Sequence, residues 1–151
     1  METPPKAPPL MKPAAELATV SKQSPYGVLP RLPCSIIACA RSGAFKSVFI
    51  QWLILVGMRN CFEKVYVFSA SVFLDPVWDP VKKYCETVLG QDESDPWAYD
   101  TFDQEALQRV IDNAGKVTDY LRRMGAKKRF HILIVVDDWA DSPQVTRGKD
   151  G

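Results

Sequence analysis

This sequence is short of the features that mark a specialised class. Its 151 residues include one histidine and four cysteines, Cys34, Cys39, Cys61 and Cys85, with no Cys-x-x-Cys pair. That spacing argues against a structural zinc site, and the cysteines are expected to be reduced and buried as small apolar residues. Neither sign of charge is in excess, since 19 Lys and Arg stand against 18 Asp and Glu. A nucleic-acid-binding domain usually shows a pronounced basic excess, and none is present here. Long hydrophobic runs are also missing: Val48–Met58 is interrupted by Gln51 and is far short of a membrane span. The opening METPPKAPPLMKP has no apolar h-region of a secretory signal. The expectation is an intracellular protein, cytoplasmic or nuclear and not secreted, with no membrane association.

What is present divides the chain. Eight of the twelve prolines fall within residues 1–33. Proline removes backbone donors and fixes φ, so this stretch reads as a disordered, flexible leader. At residue 34 the character changes, and 34–142 carries the pattern of a folded α/β unit; residues 143–151 read as a flexible tail. Ser35-Ile36-Ile37-Ala38-Cys39-Ala40 is an apolar run without polar alternation, as in a strand buried on both faces. Lys46 to about Met58 reads as a mostly buried helix, with Phe49, Trp52, Leu53 and Val56 on one face. Glu63–Phe68, β-branched and aromatic, reads as a second strand.

Pro76, Pro80 and Pro96 punctuate an irregular region with one short helix near Val81–Leu89. The clearest helix spans about Phe102 to Met124. Leu107, Val110, Ile111, Ala114, Val117 and Leu121 form its apolar stripe, Thr101 with Gln104 matches a capping box, and Gly125 supplies a stop. A last apolar strand, Phe130–Val136, ends in Asp137 and Asp138. Strands separated by helices predict a mostly parallel sheet with covered faces. The strand at Ser35–Cys39 is expected to be central and adjacent to Ile132–Val136, with Lys64–Phe68 in the same sheet.

Two features stand where a phosphate site would need them. The turn between the first strand and its helix can offer backbone N–H groups and a positive helix end to an anion. Its residues are Ala40, Arg41, Ser42, Gly43, Ala44, Phe45, Lys46 and Ser47. They match the final Lys-Ser of the pattern G-x-x-x-x-G-K-[ST], in which lysine meets the β- and γ-phosphates and the hydroxyl meets Mg²⁺. Both pattern glycines are replaced, the first by Ala40 and the second by Phe45. A benzyl group at the second position is expected to hinder close approach of phosphate to the backbone. The other feature is Asp137 at the end of an apolar strand, placed to hold Mg²⁺ beside Ser47, with Asp138 placed to polarise the attacking water.

With these motifs the sequence resembles the FtsK–HerA superfamily of P-loop ATPases, in particular the poxvirus-type genome-packaging ATPases of large DNA viruses and Polinton-like elements. The resemblance runs from about Arg31 to Ser142, through SIIACARSGAFKSVFIQWLI, KVYVFSASVFLDPVW, YDTFDQEALQRVIDNAGKV and HILIVVDDWAD. It implies a partial P-loop three-layer sandwich, with ATP and Mg²⁺ as cofactors. It assigns Lys46 and Ser47 to phosphate and metal, Asp137 to the metal, and Asp138 to catalysis. In intact relatives it implies a homo-oligomeric ring moving double-stranded DNA. The family continues through further strands with a sensor residue and an arginine finger, so this chain reads as cut short after the Asp137 strand, with an unfinished sheet edge.

Two functions stay open at this stage. One is an ATP-binding domain of packaging-ATPase ancestry; the other is an inactive scaffold or assembly module on the same frame. Remaining candidates are weaker. His131 reads as a core or edge histidine, Trp78, Trp97 and Trp139 as packing residues, and Lys127-Lys128-Arg129 as a solvated loop. Asp75, Asp79, Asp92, Glu93 and Asp95 lack the spacing of a calcium loop.

Overall fold

A computed structural model describes residues 22–41 and 45–137. Among the described residues three strands, β1 (Lys64–Ser69), β2 (Ala98–Tyr99) and β3 (Ile132–Asp137), form one sheet in the order β2-β1-β3. Both pairings are parallel, and β1 runs alongside β3 from Lys64 opposite Ile132 to Ser69 opposite Asp137. Parallel neighbours need crossovers, and helices supply them. α2 (Asp79–Thr87) joins β1 to β2 and α3 (Gln104–Arg123) joins β2 to β3, whereas α1 (Lys46–Trp52) precedes β1 and passes directly into a π-helical turn at Leu53–Gly57.

Alternation along the strands sends side chains to two cores. Val65, Val67, Leu133 and Val135 join Leu53, Ile54, Met58, Val81 and Tyr84 on one face. On the other face Tyr66, Phe68, Ile132 and Ile134 meet Ala106, Leu107 and Val110 of α3. The sheet is therefore covered by the π-helical turn after α1 and by α2 on one side and by α3 on the other, an α/β arrangement with a parallel sheet.

The short β2 leaves part of β1 without a strand neighbour. A side chain substitutes there, Gln91 Oε1 accepting from Val65 N at 3.0 Å, before backbone pairing takes over where Val67 N donates to the Trp97 carbonyl at 2.7 Å. The long helix begins at Asp103, whose carboxylate accepts from Glu105 N at 2.9 Å, so Asp103 takes the capping place expected of Thr101. It stops where Gly125 adopts φ 71°, with Gly125 N bonded to Arg122 O and Ala126 N to Leu121 O. That bond pair is a Schellman motif, which the glycine makes accessible. Only the first half of the stripe is covered. Ala106 and Val110 are buried, whereas Ile111 and Val117 are exposed.

Three expectations need correction. Ser35–Ala40 is not a strand; it is exposed throughout and Ile37 retains 88% of its accessible surface. An apolar run reports β-propensity, but a strand also needs a neighbouring edge at about 4.8 Å, and this segment stands across a cleft from β3. The central strand is β1. Secondly, the core face of the first helix is Leu53, Ile54, Gly57 and Met58, while Phe49, Trp52 and Val56 are exposed. The wider π turn shifts the apolar stripe away from a 3.6-residue period. Thirdly, the expected leader is attached at its end. Leu29 and Leu32 pack on the core, and Ser24 Oγ donates to the Gly57 carbonyl at 2.5 Å.

Candidate functional site

A parallel sheet brings the C-terminal ends of its strands to one side, and ligands of open α/β sheets sit outside those ends. Here β1 ends in Ser69, β3 ends in Asp137, and α1 starts at the same side with Lys46. Lys46 Nζ lies 3.0 Å from Asp137 Oδ1. The carboxylate is 2% exposed and the lysine side chain 25%. Asp137 is thus buried at the end of an apolar strand with one cation beside it. Its other oxygen, Oδ2, accepts from Ser69 Oγ at 3.5 Å, and the Ser69 hydroxyl stands 3.3 Å from that of Ser71.

Ser69 is fully buried and was not singled out from the sequence. A polar residue closing the strongly apolar strand KVYVF was the available signal. Ser47, the residue after Lys46 on α1, is half-buried.

Phe45 precedes the helix with φ 59° and ψ 28°, the left-handed region. This is the conformation that glycine adopts freely and a residue with a Cβ does not, at a cost of about 1–2 kcal/mol. Its side chain is 77% exposed. The backbone at this position therefore takes a shape that suits glycine, with phenylalanine in its place. Ala40 and Arg41 are exposed and lead towards the turn. Ser42, Gly43, Ala44 and Asp138 lie outside the described residues, as does Trp139.

Beside the ion pair a cleft of about 680 Å³ runs along β3 from His131 to Asp137. Its opposite rim is Cys34, Ser35, Ile36 and Ala38, and its floor includes Phe49, Ile50 and Leu53. His131 sits just before β3 with a buried Nε2 that has no hydrogen-bond partner among the described residues. Burial, and to a lesser extent Arg129, pulls its pKa below the ordinary 6.5, against the opposing pull of Glu63. It is a neutral histidine at the cleft's far end from Lys46.

The oxygen donors fit a hard cation only in part. Mg²⁺ commonly takes one or two carboxylates and completes its shell with water and phosphate oxygens. Asp137, with the Ser69 hydroxyl at 3.5 Å, supplies oxygen donors of that chemistry. Among the described residues no group of three or more His, Cys, Asp or Glu could hold a metal unaided.

The other candidates are absorbed by structure. Trp78 and Trp97 are buried core residues. Lys128 pairs with Glu63 at 3.0 Å. Asp75 caps Val77 N, Asp92 accepts from Ser94, and Asp95 bonds the Tyr66 hydroxyl at 2.8 Å and Lys64 at 2.9 Å. Cys61 and Cys85 are buried as expected, but Cys34 and Cys39 are exposed because their segment is not in the sheet. Among the described residues no helix is long and apolar enough to cross a membrane. No family model, curated protein or solved structure matches this chain.

Proposed function

We propose that the chain is a nucleotide-binding domain of P-loop type, related to viral DNA-packaging ATPases, in which Lys46 and Ser47 meet the phosphates of Mg·ATP. One observation carries the reading. A lysine at the start of a helix and an aspartate at the end of a parallel strand converge within 3.0 Å, far apart in sequence but on the same side of the sheet. In this reading the ion pair is the resting form of the site. Phosphate oxygens would take over Lys46, and the freed carboxylate of Asp137 would hold Mg²⁺, with Asp138 beside it to orient water. Mg²⁺ supplies charge neutralisation on the phosphates when bound; Lys46 positions them, and Asp137 keeps the cation at the strand end.

A second reading, an inactive scaffold or assembly module, is favoured by Phe45. A non-glycine residue held at φ 59° strains the loop and adds a bulky side chain where phosphate should approach the backbone. Titration of a fluorescent ATP analogue with Mg²⁺ separates the two. Binding by wild type that is lost in Lys46→Ala supports the nucleotide site. Absence of binding by wild type leaves the scaffold. Binding that survives Lys46→Ala refutes the phosphate-loop assignment, because a different surface then holds the ligand.

A further inference from the structure

The near-zero charge of the whole chain conceals a segregation. Between Glu16 and Glu63 there is no aspartate or glutamate, while Lys22, Arg31, Arg41, Lys46 and Arg59 supply five cations. Residues 63–137 reverse the balance, with thirteen Asp and Glu against ten Lys and Arg. The acid-free stretch also carries an apolar surface that the core does not use. Phe45, Val48, Phe49, Trp52 and Val56 recur at helical spacing from the cap of α1 into its π-helical turn, and all five are exposed. None of them belongs to either core cluster. The patch extends into the segment before the helix. The Tyr26 ring lies 6.1 Å from that of Trp52, and Phe49 stacks against Trp52 at 6.2 Å. Beyond Phe49, Ile36 stands on the opposite rim of the cleft. Residues 33–40 are exposed throughout, and the exposed Arg31 and Arg41 bracket them.

We propose that this face docks on an anionic lipid surface, with the outer stripe of α1 set among the headgroups and Arg31 and Arg41 against their negative charges. The face lies on the bilayer and does not cross it. Exposed apolar patches of this kind mark interaction sites, and two properties select lipid as the partner. The lack of any carboxylate over residues 17–62 removes repulsion from a negative surface, where each cation strengthens binding about fivefold. The apolar side chains also protrude, with Phe45 77% exposed. A headgroup layer accepts protruding rings without the shape complementarity that a protein partner demands. Trp52 and Tyr26, each an apolar ring with a polar tip, suit that layer. Phe45 gains a role as well. Its left-handed backbone holds a large ring out in water, where it serves as an anchor. This goes beyond the nucleotide reading and does not depend on it.

Co-sedimentation of the full chain with vesicles tests the proposal, using phosphatidylcholine alone and phosphatidylcholine with about 30% phosphatidylserine. Wild type is expected to bind the anionic vesicles at least about tenfold more tightly, and added salt should weaken that binding. Arg31→Gln with Arg41→Gln should bind about 30-fold more weakly. Phe45→Ser with Val48→Ser should lose about tenfold or more. Both pairs lie outside the core clusters, so both variants should unfold close to the wild-type temperature. Tryptophan quenching by brominated lipid reads the docked face. It is expected in wild type and largely lost in Trp52→Phe, because Trp78 and Trp97 are buried. No preference for anionic vesicles, unchanged binding by either folded variant, or undiminished quenching in Trp52→Phe would each overturn the proposal. A lipid-free dimer in sedimentation velocity that Phe45→Ser with Val48→Ser dissociates gives the face to a second copy and overturns it too. The fluorescent ATP titration is read without vesicles, so the two readings fail separately.

Discussion

Lys46 opens α1, Asp137 closes β3, and their charged atoms meet at 3.0 Å with the carboxylate almost wholly buried. A buried ion pair is costly to break from one side, because the survivor is left in a poorly solvated site without its counter-charge. Lys46→Met should therefore destabilise the fold by about 2–4 kcal/mol, measured by urea denaturation. Adding Asp137→Leu to that variant should recover most of the loss, since a matched apolar pair avoids the desolvation cost. A single variant within about 0.5 kcal/mol of wild type would show that the pair is open to solvent and not the buried contact described here.

How much of this was legible beforehand differs from element to element. The strand at Lys64–Phe68, the strand ending in Asp137 and the helix stopping at Gly125 follow from periodicity and end signals, and the structure has all three. The convergence of Lys46 with Asp137 was expected because both would have to reach one Mg²⁺–phosphate group, but the strand at Ser35–Cys39 that was expected to lie beside Ile132–Val136 is not there. β2 was not foreseen, because two residues, Ala98 and Tyr99, carry no period to detect. Gln91 completing β1 and Ser69 beneath Asp137 depend on contacts between distant segments, which no local pattern encodes. The Ser35–Ala40 run shows the converse error. Its composition suits a strand, but pairing is a property of two segments, and the partner edge lies across the cleft.

Thiol chemistry should separate the cysteines into two pairs. Cys34 and Cys39 are exposed and Cys61 and Cys85 are buried. Burial pushes the Cys85 thiol up to about 12, with Glu86 adding to the shift, and burial also raises Cys61. The reactive species is the thiolate, so buried, protonated thiols are inert. Alkylation at pH 8 followed by peptide mapping should label Cys34 and Cys39 rapidly and spare the other two until urea is added. Rapid labelling of Cys85 in the native chain would contradict the packing of α2 on the sheet.

His131 should make the fold sensitive to mild acid. Its folded pKa lies below 6.5, mainly through burial. Above that value both folded and unfolded states hold a neutral ring, and histidine adds no pH dependence. As the pH falls through 6.5 the unfolded chain takes up a proton first, so stability declines until the folded-state pKa is passed. His131→Leu should flatten this part of the stability-against-pH curve, read by urea midpoints between pH 7.5 and pH 5.5. An unchanged slope would assign the acid response to other groups.

Phe45 offers the most direct test of strain against function. Its φ of 59° penalises a residue with a Cβ by about 1–2 kcal/mol, whereas glycine occupies this region freely. Glycine also gives the unfolded chain more freedom, which takes back about 0.4–1 kcal/mol. The exposed ring contributes little packing to offset. Phe45→Gly should consequently stabilise the protein by roughly 0.5–1 kcal/mol, seen as a higher urea midpoint at unchanged slope. The same substitution removes the side chain that crowds the loop, so affinity for the fluorescent ATP analogue should rise in Phe45→Gly and vanish in Phe45→Gly with Lys46→Ala. Steady-state hydrolysis should stay near background in every variant, because a better-fitting loop improves ground-state binding without adding any group that acts only in the transition state. If Phe45→Gly is stabilised but binds no better than wild type, the positive φ belongs to the helix start alone, and the scaffold reading gains. If it binds better while losing stability, the phenyl ring makes a contact that its exposure does not reveal.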